Sequence, residues 1–91
     1  MTEPSWELRL AASAERHLGR LPERVAAAVV EFMIGSLCEN PRRFGHPLQR
    51  KLAGLWSARG GAYRVVYEID DGEHQITVLR IDHRSDVYRP R

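Results

Sequence analysis

From Trp6 to Leu10 apolar and charged residues alternate, which predicts a half-exposed strand with Trp6, Leu8 and Leu10 turned inward. The period then changes. Ala11, Ala14, Leu18 and Leu21 recur at spacings of three and four, with Glu15, Arg16 and Arg20 on other faces, so a short amphipathic helix opened by Ser13 is expected. Pro22 interrupts it and suits the first turn of a second helix, where a missing N–H costs nothing; together the two make a helical hairpin. The second helix carries Val25, Ala26, Val29, Val30, Phe32, Met33, Ile34 and Leu37, with only Arg24 and Glu31 as a polar stripe, and is expected to be largely buried. Glu39-Asn40-Pro41 should end it, because the residue before a proline is pushed out of the helical region.

Downstream the period is two. Residues 42–49 contain Gly45 and Pro47 and are expected to form a loop. Three strands are predicted, at about 52–59, 62–69 and 75–82, separated by the turn signals Gly60-Gly61 and Asp70-Asp71-Gly72. In the middle one, Tyr63, Val65, Tyr67 and Ile69 share a face and Arg64 lies on the other. The expected fold is α+β, in the order β-α-α-β-β-β: a helical hairpin packed on one face of a mostly antiparallel four-stranded sheet, whose other face stays open as a shallow groove. With 91 residues, a single domain over 1–91 is expected.

Composition narrows the class. No apolar run approaches the roughly 18 residues that span a bilayer, and the opening Met1-Thr2-Glu3-Pro4 lacks the order of a secretion signal, so a cytoplasmic protein with no membrane partner is expected. Cys38, the one cysteine, lies in an apolar helical stretch and reads as a small buried thiol. The net charge of +2 hides a block structure. Residues 1–40 hold four arginines against six glutamates, and residues 68–91 hold four arginines against six acids. Between them, residues 41–67 carry Arg42, Arg43, Arg50, Lys51, Arg59 and Arg64 with no acid at all, which suits a polyanionic partner.

The open face should gather much of this charge. Arg59 and Arg64 flank a tight turn, Lys51 leads into the first strand of that hairpin, and Arg80 or Arg84 comes from the last strand. Guanidinium forks match phosphate oxygens and can stabilise the charge that develops as a phosphodiester becomes pentacoordinate. RNA supplies its own nucleophile in the 2′-hydroxyl, so such a site needs only a base and an acid; Tyr88, His83 and Lys51 are the candidates. There is no glycine-rich phosphate loop, zinc pattern or carboxylate set for magnesium, so no cofactor or metal is expected. Plainer roles compete: Arg59 and Arg64 as a solvated face or partners of Glu68 or Asp86, Tyr88 as a dock for the tail, Trp56 in the core or at its rim. His17, His46 and His74 lack ligand spacing and read as surface residues.

The stretch from Leu48 to Ile69, LQRKLAGLWSARGGAYRVVYEI, followed by His83-Arg84-Ser85-Asp86-Val87-Tyr88-Arg89, resembles bacterial RelE/ParE toxins, and the likeness extends to the first strand, the hairpin at Leu21-Pro22 and the helix end at Asn40-Pro41. The resemblance implies a toxin held inactive by a cognate antitoxin and, in the RelE branch, a metal-independent endoribonuclease that cuts messenger RNA in the ribosomal A site and so inhibits translation. By motif position, Arg64 is similar to the arginine on the scissile phosphate, Tyr88 to the terminal tyrosine near the 2′ oxygen, and Arg84 to the arginine before it. Leu55 and Ser57 stand where that pattern has lysines, which leaves Arg59 and Lys51 to supply charge or His83 to move the proton. A ParE-like toxin that binds DNA gyrase, or a module that binds only its antitoxin, are the alternative expectations.

Overall fold

A computed structural model describes residues 6–83. The elements are β1 (Glu7–Leu10), α1 (Ala12–Gly19), α2 (Glu23–Phe32) continued by a π-helical turn (Met33–Leu37), β2 (His46–Pro47), a 3-10 turn (Arg50–Leu52), β3 (Trp56–Gly60), β4 (Tyr63–Asp70) and β5 (Gln75–His83). The sheet has five strands in the order β1-β5-β4-β3-β2, parallel only between β1 and β5.

The α+β class holds, with one strand more than expected. The added strand is β2, only His46–Pro47, inside the segment expected to be a loop. Proline cannot donate to a ladder, so it is tolerated only at a sheet edge, and β2 is an edge. The next strand begins at Trp56, not near Leu52, because Arg50–Leu52 turns as a 3-10 helix and Arg50 and Gly54 both adopt positive φ, at 58° and 98°. At the β3–β4 hairpin the two turn residues are Gly61 and Ala62; Gly61, at φ 53°, occupies the first of them, where glycine meets no steric cost.

The helices cover one sheet face. Val29, Met33 and Leu37 form a stripe at intervals of four that packs with Ala14 onto Ala58, Val65, Tyr67, Ile76, Val78 and Ile81. The π turn widens the helix just where a strict α-helix would rotate Leu37 off that stripe. The second helix is less buried than expected: Ile34 is 61% exposed, since two helices in a single layer have only the sheet side to pack against. Cys38 is buried as expected, and burial pushes its thiol pKa up. Tyr67 is also buried, and its hydroxyl donates to Pro41 O at 2.5 Å, closing the end of α2 onto the sheet.

One irregularity decides what the sheet displays. Val66 pairs with Arg80 but Tyr67 with Val78, so Leu79 is an extra residue, a bulge in β5. Before it Ile76 and Val78 face the helices; after it Ile81 does, and Arg80 and Asp82 turn to the open face. The bulge is held from α1, where the Ser13 hydroxyl donates to Leu79 O at 2.6 Å and the Ile81 N–H donates to His17 Nδ1 at 3.1 Å. Ser13 is therefore not the helix opener expected, and His17 is not a plain surface residue: beyond Leu10 the chain has left β5, and these two side chains replace the missing strand.

Candidate nucleic-acid interface

Cross-strand partners share a face, so the register reads out the open side of the sheet. Arg59 of β3 pairs with Arg64 of β4, which pairs with Asp82 of β5. The neighbouring row runs from His46 of β2 through Ser57 and Val66 to Arg80. Arg80 Nε donates to Asp82 Oδ1 at 2.9 Å. Arg59 and Arg64 are exposed, and among the described residues neither has an ion pair or side-chain hydrogen bond.

Two like charges directly opposite on a strand pair cost stability by a few tenths of a kcal/mol or more. The sheet carries that cost here, beside a third guanidinium from β5. The result is a cationic platform at the β3–β4 turn end, with the Arg59 and Arg64 forks free to take phosphate oxygens and Arg80 tied to Asp82. Of the expected cationic cluster, Arg59, Arg64 and Arg80 come together. Arg50 and Lys51 lie in the connection at the other end of β3. Arg42 forms a two-pronged pair with Asp71 at 2.8 and 3.0 Å and lies 5.8 Å from the centre of the Trp56 ring, both at the far end of the sheet; this pair lowers the Asp71 carboxyl pKa. Arg43 sits over Phe44, itself edge-on to Phe32.

His83 pairs with Tyr63, whose ring meets Phe32 of α2, so it belongs to the helix-covered face and not to the one that displays Arg64. Arg84 and Tyr88 lie outside the described residues. Of the histidines expected at the surface, His74 stacks on Trp6 with ring centres 4.0 Å apart. His46 is exposed but stands on the open face beside the arginine platform, as does Asp82; sequence reading missed both for this site. A signal existed for Asp82. In Ile76-Thr77-Val78-Leu79-Arg80-Ile81 the apolar alternation slips by one residue, which is how a bulge looks in sequence. For His46 there was none, since a two-residue strand with proline carries no period.

Among the described residues, no three His, Cys, Asp or Glu side chains stand close enough to hold a metal ion, and no helix is long and apolar enough to cross a membrane.

An arginine-bearing, mostly antiparallel sheet backed by a helical hairpin defines a small α+β fold, and comparison with known proteins gives its family. Residues 8–88 match the family described as ParE toxin of type II toxin-antitoxin system, parDE. The chain belongs to this family of toxins. It is 50% identical over 84 residues to Toxin RelG of Mycobacterium tuberculosis, covering 92% of this chain and 97% of that one, and 52% identical to Toxin RelE of the same organism, covering 92% and 87%. The toxin-antitoxin complex RelBE2 of M. tuberculosis matches at 48% identity with a TM-score of 0.87, over 89% of this chain and all of that one. The E. coli RelBE complex, at 18% identity and a TM-score of 0.69 over 87% and 96%, shares the fold.

Proposed function

We propose that this chain is a cytoplasmic, metal-independent endoribonuclease that cuts messenger RNA in the ribosomal A site, with the RNA's own 2′-hydroxyl as nucleophile, and that a cognate antitoxin silences it. The observation that carries this reading is the exposed Arg59–Arg64 pair with Arg80 beside it. Such a platform can bind two oxygens of one phosphate and neutralise the charge that grows on it as the backbone breaks. Arg84 and Tyr88, which follow β5 in the sequence, would complete the site, while His83 on the helix-covered face would not; Lys51, Arg50 and Arg43 would extend the cationic surface toward the rest of the message or the ribosome, with Arg42 held by Asp71. For the antitoxin, the exposed Ile34, Phe44 and Leu52 offer apolar anchors of the kind a wrapped chain buries.

Inducing the protein and mapping transcript 5′ ends tests this reading. New ends inside translated regions are expected. Intact messages during growth arrest would exclude it. A second reading, a ParE-like toxin that binds DNA gyrase, is favoured by the name of the matching family. It expects DNA damage signalling with uncut messages, and full toxicity from Tyr88→Phe and His83→Ala.

A further inference from the structure

His46 is the one imidazole that the described strand register puts on the open face. It pairs with Ser57, which lies next to Val66 and then Arg80, while Arg59 and Arg64 occupy the adjoining row toward the β3–β4 turn. With strands about 4.8 Å apart and a rise of about 3.3 Å per residue, its Cα is about 8 Å from that of Arg59 and about 12 Å from that of Arg64. A phosphate gripped between the arginine forks therefore leaves the ribose joined to it through the 3′ oxygen, the one that carries the attacking 2′-hydroxyl, within reach of an imidazole approaching from the sheet edge. No hydrogen bond, ion pair or ring contact engages His46 among the described residues, so its ring nitrogens are available. The neighbours on this face are Ser57, Arg59, Arg64, Val66, Glu68, Arg80 and Asp82; no carboxylate stands in its own row, and Asp82, in the adjoining row, is tied to Arg80. Lysines are absent from β3, where Trp56, Ser57, Ala58 and Arg59 leave no other proton acceptor of suitable strength.

We propose that His46 is a catalytic residue, the general base that takes the 2′-hydroxyl proton, working across the sheet from the Arg59–Arg64 platform. The proposal rests on the nuclease reading above. As the imidazole accepts the proton, the 2′ oxygen bonds to phosphorus and the bond from phosphorus to the 5′ oxygen breaks. A 2′,3′-cyclic phosphate forms, the 5′ oxygen takes a proton from water, and the hydroxide so made recovers the proton from the imidazolium. Edge placement explains how a two-residue strand contributes: β2 needs no length to hold one side chain at a defined register with β3.

The test uses the full chain on ribosomes programmed with a defined message. His46→Gln is expected to lower kcat by about 10²- to 10⁴-fold with KM unchanged, the signature of a lost proton transfer. His46→Gly should regain activity when free imidazole is added, whereas Arg64→Ala should not respond to imidazole. Since His46 is exposed, both variants should melt as the parent does. Wild-type kcat in His46→Gln, or a raised KM with no response to imidazole, overturns the assignment while leaving the nuclease reading intact. An intact message with the parent protein removes both.

Discussion

Tyr67 links the end of the helical layer to the centre of the sheet through one hydroxyl. Burial pushes its pKa up to about 12, with Arg42 pulling weakly the other way. Because the folded value lies above the ordinary phenol value, the stability this residue contributes is fully present below about pH 10 and is lost as the pH climbs toward 12, with about 3 kcal/mol at stake. Alkaline denaturation should therefore begin near pH 10. Tyr67→Phe should lose about 1 kcal/mol at neutral pH with the Pro41 hydrogen bond and should denature less steeply in alkali, as followed by circular dichroism. At this scale the alternation of Tyr63, Val65 and Tyr67 against Arg64 was legible, since period two assigns faces without further information. The tasks of His17 and His46 were not, because an isolated imidazole has no period and its neighbours are 64 residues away or on another strand.

Among the elements, β5 determines the open face, and α1 holds β5 in shape. Without the bulge at Leu79, Arg80 and Asp82 would point into the helices. His17→Ala leaves the Ile81 N–H without its acceptor and should cost about 1–3 kcal/mol, with faster hydrogen exchange at Ile81 than at Val65. His17→Asn, which restores an acceptor, should recover part of both. Equal exchange in all three proteins would mean that α1 does not hold the bulge. The helical hairpin, the break at Pro22 and the last two strands could be read from sequence because periodicity and turn residues are local. Strand β2 and the 3-10 turn could not, since both depend on β3 being present to pair or to receive the chain.

Across the whole molecule, the central cationic block divides into two ends of the sheet. Arg59 and Arg64 stand free at one, and Arg42 is bound to Asp71 at the other. Binding to a single-stranded RNA oligonucleotide should lose about 1.5–3 kcal/mol on Arg64→Ala, an arginine–phosphate pair. Arg59→Ala with Arg64→Ala should flatten the dependence of log affinity on log salt by about 1.4, whereas Arg42→Ala should change that slope little. Equal slopes would show that the platform does not contact phosphates. Sequence by itself determined the α+β class, the helical hairpin, the hairpin strands and the acid-free segment, because each is written in neighbouring residues. Only the tertiary structure decided which of those cations meet, that His83 faces the helices, and that His46 stands at the open face. Strand register and one extra residue in β5 govern these, and both follow from pairing between segments far apart in the chain.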